Sequence, residues 1–286
     1  MADWGKLSGL GNVEDRRGLG PVAIGGGGVG VLGIIIFLIS TFAGGNPELN
    51  ELNSILNQLQ QAQTTQPAPG AQGQFEGADD YEKFASAVLG STDEVWTGIF
   101  AQNNQTYTKP RLVLFRQGTT SGCGIASSEV GPHYCPADQS IYLDETFFDE
   151  LQRRFKAQGG DVAEAYVIAH EVGHHVQNQL GIMEDVQRLR QSRPDESNAL
   201  SVNLELQADC FAGVWAHAVA KQGIFEPGEI NEAVDAAAAV GDDRIQKTVE
   251  GQISPETWTH GSSAQRTEWF NRGYDSGRPA DCQTFK

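Results

Sequence analysis

From Val22 to Ala43 the chain runs 22 residues without a charged side chain, and Val31-Leu32-Gly33-Ile34-Ile35-Ile36-Phe37-Leu38-Ile39 lies at its centre. As a helix this run is about 33 Å long, close to the roughly 30 Å hydrocarbon core of a bilayer. Lys6, Arg16 and Arg17 precede it, and the next basic residue is Lys83. Basic residues collect on the cytoplasmic side of membrane helices, so the asymmetry predicts a cytoplasmic N-terminus and an extracytoplasmic remainder, in a bacterial inner or cell membrane. A cleaved leader would need a small-residue cleavage site after the run, and Ser40-Thr41-Phe42-Ala43 is a poor one.

The expected layout is a cytoplasmic tail at 1–20, one transmembrane helix at 21–43, a flexible stalk at 44–80 and a single catalytic domain at 81–286. The stalk reading follows from few large apolar residues and from Gln66-Pro67-Ala68-Pro69-Gly70, which breaks regular structure. Twenty basic against 37 acidic side chains leave a net charge of -17, which repels phosphate backbones and excludes nucleic acid as a partner.

The C-terminal part reads as an α+β fold, a small sheet followed by helices. Asp80–Leu89 and Thr92–Phe100 have the pattern of two amphipathic helices. Arg111–Phe115 and Ser140–Leu143 read as strands, and from Asp161 onward the chain is mostly helical.

One helix carries the chemistry. Asp161 with Glu164 suggests a capping box, Gly181 a stop, and Ile168, Val172 and Val176 an apolar face. The helix contains His170-Glu171-Val172-Gly173-His174, with His170 and His174 roughly opposite that face. Histidines four apart project from one side of a helix, so both imidazoles can reach one zinc ion. Glu171, rotated about 100° from His170, is placed to meet a water rather than the metal. A catalytic zinc needs a third protein ligand. The metzincin position for it is Leu180, which excludes that class, whereas Glu205 and Asp209 share one face of a later helix. Glu205 can bind the metal while Asp209 accepts the free N–H of a ligand imidazole. His175, His133 and His217 read as structural.

The segments Tyr166–Gln177 and Glu205–Trp215 resemble the bacterial neutral zinc metallopeptidases, as do Asn12-Val13-Glu14-Asp15-Arg16-Arg17-Gly18, Gly131–Asp138 and Thr259-His260-Gly261-Ser262. The resemblance implies a gluzincin-like, zincin-type core with His170, His174 and Glu205 on Zn2+ and Glu171 as base. The stretch from Thr259 to Arg266 also resembles the Thr-His-Pro…Arg segment of membrane-associated gluzincins, with Gly261 in place of the proline. There a histidine assists the transition state, so His260 is either a catalytic group or a surface histidine beside an N-cap.

The expected activity is a zinc-dependent endopeptidase acting on peptide or protein substrates, with Glu171 as general base. A second reading is a zinc-binding membrane interaction protein that keeps the fold without hydrolysis. An extended substrate is expected to pair at the strand around Ile141. Cys123, Cys135, Cys210 and Cys282 allow three pairings, none in a Cys-x-x-Cys arrangement. Cys123–Cys135 is expected because its loop is short and rich in turn residues, and Cys210–Cys282 follows by elimination.

Overall fold

The computed structural model describes residues 1–7, 9–18, 79–128 and 130–285. The predicted transmembrane helix at 21–43 and nearly all of the predicted stalk lie outside the described residues. Among the described residues, no helix is long and apolar enough to cross a membrane.

The expected pair of helices after the stalk is one helix, α1, Asp80–Gln102. Asp79 and Glu82 start it with a reciprocal capping box. Nothing ends it at Gly90, because Ser91 and Thr92 turn their hydroxyls onto the carbonyls of Val88 and Leu89 at 2.6 and 2.7 Å. Gly90 answers to packing instead. A Cβ there would meet the backbone of Gly9 at 2.5 Å.

That contact introduces the largest departure from the sequence reading. Residues 1–18 are not a separate tail. Asn12–Asp15 forms strand β1, which pairs in parallel with β2, Arg111–Phe115. The four-stranded sheet runs β1-β2-β6-β5, with β6 at Ser140–Asp144 parallel to β2 and β5 at His133–Cys135 antiparallel on the edge. A two-stranded hairpin of β3, Gly118–Ser121, and β4, Gly124–Ser127, fills the connection. Ile141 therefore sits in an inner strand, paired on both sides, and is not an edge available to a substrate. The free edge near it is β5.

The remaining helices are α2 (Thr146–Phe155), α3 (Asp161–Gln179), α4 (Ile182–Ser192), α5 (Ser197–Ala220), α6 (Ile230–Ala239), α7 (Asp242–Val249) and α8 (Ser263–Ser276). The fold is thus α+β with small sheets. Helix α3 is the centre of the core, packed against α1, α5, α6 and β5. Ile168, Val172 and Val176 are wholly buried, as the apolar stripe requires. The expected capping box at its start does not form. Gly160 is the N-cap, and the Asp161 carboxylate instead accepts the Ala2 N–H at 2.9 Å and the Trp4 indole N–H at 2.7 Å. Gly181, left-handed at φ +75°, follows the helix end as expected. Both expected disulfides are present, with Cα separations of 5.7 Å for Cys123–Cys135 and 5.6 Å for Cys210–Cys282.

One buried group gives the stability a pH dependence. Asp93 on α1 is 1 % exposed, and neither oxygen has a hydrogen-bond partner among the described residues. Burial pushes its carboxyl up to about 7, against the opposing charge of Lys109. The native state then holds a proton that the unfolded chain releases near pH 4. Stability contributed by the protonated form is present below about pH 4 and is lost as pH rises towards 7, at up to about 1.4 kcal/mol per pH unit. Asp93→Asn is expected to remove that slope in urea unfolding midpoints taken between pH 4 and 8. An unchanged difference between variant and wild type across that range contradicts the assignment.

Candidate metal centre

Helices α3 and α5 meet closely enough to make one site from two elements. A Cβ on Gly173 would approach the Ala208 carbonyl oxygen to 2.9 Å and its Cα to 3.0 Å, so only glycine permits this spacing without displacing backbone. One turn away, the contact brings Glu205 of α5 onto the histidine pair of α3. His170 Nε2 lies 3.2 Å from Glu205 Oε2, and His174 Nε2 lies 3.4 Å from Glu205 Oε1. Ligand atoms from the three residues fall within 4.8 Å of one another, and the two imidazole rings sit edge to face.

The far nitrogen of each imidazole has its own acceptor. His170 Nδ1 lies 2.9 Å from Asp209 Oδ1, and His174 Nδ1 lies 2.8 Å from Gln177 Oε1. With Nδ1 donating, each neutral ring turns the lone pair of Nε2 towards the Glu205 carboxylate. Acceptor then faces acceptor in a buried setting, an arrangement that a cation between them relieves. The His170 ring shows the same demand for positive charge. Burial opposes its protonation, yet Asp209 and Glu205 outweigh that and push it up to about 10. Two Nε2 nitrogens and one carboxylate, each imidazole held through its Nδ1 by a further acceptor, form a donor set that suits zinc.

The support behind this set is deeper than the sequence suggested. Asp209 is wholly buried and takes the Tyr166 hydroxyl at 2.5 Å and a two-pronged guanidinium from Arg266, at 2.8 Å to Oδ2 and 2.9 Å to Oδ1. Burial raises the Asp209 carboxyl, but Arg266 and His170 overcome this and hold it below its ordinary value. Gln177, to which the sequence analysis gave no role, orients His174 from one turn along the same helix. Its amide donates to Leu204 O at 2.7 Å and to Gln207 Oε1 at 3.1 Å, and Gln207 donates in turn to Cys282 O at 2.9 Å. The Cys210–Cys282 bond thus fastens the C-terminal segment to a hydrogen-bond chain that ends on a candidate ligand.

Glu171 is 6 % exposed, and no described residue hydrogen-bonds its carboxylate. His260 stands on the loop between α7 and α8, its side chain 39 % exposed. Asp242 fixes that loop by accepting the backbone N–H groups of Thr259, His260 and Gly261 at 2.8, 2.6 and 3.0 Å. Against the cost of burial, the charges of Glu205 and Asp242 raise the His260 imidazole, and its Nδ1 lies 3.4 Å from Asp242 Oδ1. Ser262 caps α8 with Gln265, so the N-cap reading holds beside that placement. The other three histidines are occupied elsewhere: His175 by Tyr134 Oη and Thr108 O, His133 by stacking on Tyr142, and His217 by Tyr274 O.

Comparison with known proteins agrees with this geometry. A family described as "Putative neutral zinc metallopeptidase" matches residues 2–285. The Escherichia coli K12 protein YpfJ is 44% identical over 283 residues, covering 96% of this chain and 95% of its own. Mb2605 of Mycobacterium bovis and Rv2575 of Mycobacterium tuberculosis are each 48% identical over 209 residues, covering 70% of this chain and 69% of theirs. All three are named only as uncharacterized proteins. No solved structure matches the chain. The chain belongs to the neutral zinc metallopeptidase family.

Proposed function

We propose that this member of the family is a zinc-dependent endopeptidase with a zincin-like core. The observation that carries the proposal is the convergence of His170 Nε2, His174 Nε2 and the Glu205 carboxylate, with Glu171 next to His170 in the chain. Zinc held by those three residues supplies Lewis acidity, polarising a scissile carbonyl and making water a nucleophile near neutral pH. Glu171 takes the proton of the attacking water and hands it to the leaving amine. Asp209 and Gln177 keep both imidazoles in the tautomer that presents Nε2. His260, on a loop fixed by Asp242, donates a hydrogen bond to the developing oxyanion.

Strand β5 offers the substrate a backbone. It is a sheet edge, and its Tyr134 hydroxyl lies 3.0 Å from both His175 Nδ1 and Asn178 Nδ2 on α3. An extended peptide added there runs alongside the helix that bears the ligands, read through main-chain hydrogen bonds more than through side chains. The two disulfides support an oxidising, extracytoplasmic setting.

The purified chain is expected to hold stoichiometric zinc, and Glu205→Ala is expected to lose most of its affinity in a chelator competition. Removal of zinc is expected to stop cleavage of an unstructured protein and to lower the unfolding midpoint. A chain without bound zinc, or a Glu205→Ala variant with wild-type affinity, contradicts the assignment.

A further inference from the structure

The orientation expected from the sequence places residues 1–20 and the catalytic domain on opposite faces of a membrane. In the described residues, however, the N-terminal segment packs into the domain. Strand β1 is the fourth strand of the domain's own sheet, in register from Asn12 opposite Arg111 to Asp15 opposite Leu114. Flanking bonds extend the attachment along the whole segment. Asp3 N–H donates to Ile224 O at 2.9 Å, Gly11 N–H to Ser86 O at 2.8 Å, and Arg16 N–H to Leu114 O at 2.7 Å. Ala2 and Val13 are buried, and Trp4 meets Phe84 and Phe225 edge to face at 5.3 and 6.0 Å.

The two sides of the apolar run are also tied to each other. The Arg17 guanidinium is only 6 % exposed and is shared among Asp15, Asp79, Glu82 and Glu145, at 3.0, 2.9, 2.8 and 2.7 Å. Asp15 lies before the run and Asp79 after it, so one buried cation holds both. Opening this cluster would strand a buried arginine or its carboxylates, a costly step. The same contacts bear on the charge asymmetry. Arg16 is paired with Glu14 at 2.7 Å, and Arg17 is enclosed by four carboxylates. Two of the three cations that the orientation rule counts, Arg16 and Arg17, are thus part of the fold.

We propose that residues 1–18 and the domain from Asp79 onward fold together on the same side of the membrane, so that the chain does not cross it once between them. This holds whether or not the zinc site is catalytic.

Two measurements on the full-length chain decide it. Leu10 is 74 % exposed and Ile253 is 47 % exposed. Leu10→Cys and Ile253→Cys, made separately, are treated with a membrane-impermeant maleimide in right-side-out and inverted vesicles. Both thiols are expected to label in the same vesicle orientation, and labelling in opposite orientations overturns the proposal. In the second measurement, Asn12→Cys and Arg111→Cys are combined and treated in intact cells with a short, permeant bis-maleimide. An intrachain cross-link is expected between these register partners. Its absence in a chain that still binds zinc overturns the proposal equally.

Discussion

Replacing Glu171 with glutamine is expected to lower the rate of peptide hydrolysis by about 10²–10⁴-fold while leaving the zinc content unchanged. Glutamine keeps the length and shape of the side chain and can still accept a hydrogen bond from water, but it cannot take the proton. Glu171 is not among the residues whose ligand atoms converge, which are His170, His174 and Glu205. The charge removed is therefore not a ligand charge. No described residue hydrogen-bonds the carboxylate, so the substitution breaks no contact within the fold. The check is a rate on an unstructured protein substrate beside metal analysis of the same preparation. Cleavage at the wild-type rate excludes Glu171 as the base. Loss of zinc instead makes it a ligand or a support for one. A wild type that binds zinc and cleaves nothing favours the non-hydrolytic reading of the family fold.

The parts of the molecule legible in the sequence are those where one residue pattern has one physical meaning. Histidines four apart on a helix with a buried stripe face one side, and the imidazoles do meet at the predicted edge of α3. The Glu205–Asp209 spacing likewise anticipated one carboxylate beside His170 Nε2 and another on its Nδ1, both from α5. What failed depended on distant contacts. Asn12-Val13-Glu14-Asp15 is rich in residues that strands disfavour, and only Val13 among them is buried. Its acids are tolerable because Arg16, Arg17 and Arg111 neutralise them, and Arg111 is nearly a hundred positions away. Asp161 carried a helix-cap signature, yet the N-terminal segment took its carboxylate. Gly90 suggested a helix break because no local signal showed that Gly9 would press against it. Arg266 stood out only as part of a familiar stretch, and its buried partner could not be read from spacing.

That arginine carries the second large prediction. Arg266 is 3 % exposed and is the cation that lets Asp209 stay ionised at zero exposure. Arg266→Met fills similar volume with an apolar chain and leaves the Asp209 carboxylate buried without its counter-charge. Breaking one half of a buried ion pair costs about 3–5 kcal/mol, so a loss of that order is expected in urea unfolding. A change within about 0.5 kcal/mol, typical of surface positions, contradicts the role. The effect reaches the metal by a short path. Asp209 deprived of Arg266 is driven to take up a proton and then no longer anchors His170 Nδ1 as an anion. Zinc affinity is expected to fall on the order of 10–100-fold, as for other losses of support behind a ligand. Arg266 also lies 3.9 Å from Glu205 Oε2, close enough to compete for the carboxylate proposed as the third zinc ligand. Its removal strengthens Glu205 as a ligand, which works against the loss. Asp209→Asn separates the two influences, since it weakens the anchor while leaving the arginine near Glu205. If the anchor dominates, Arg266→Met and Asp209→Asn lower zinc affinity alike, and the double variant is less destabilised than the sum of the singles. Tighter zinc binding by Arg266→Met alone would instead make the guanidinium chiefly a competitor for Glu205.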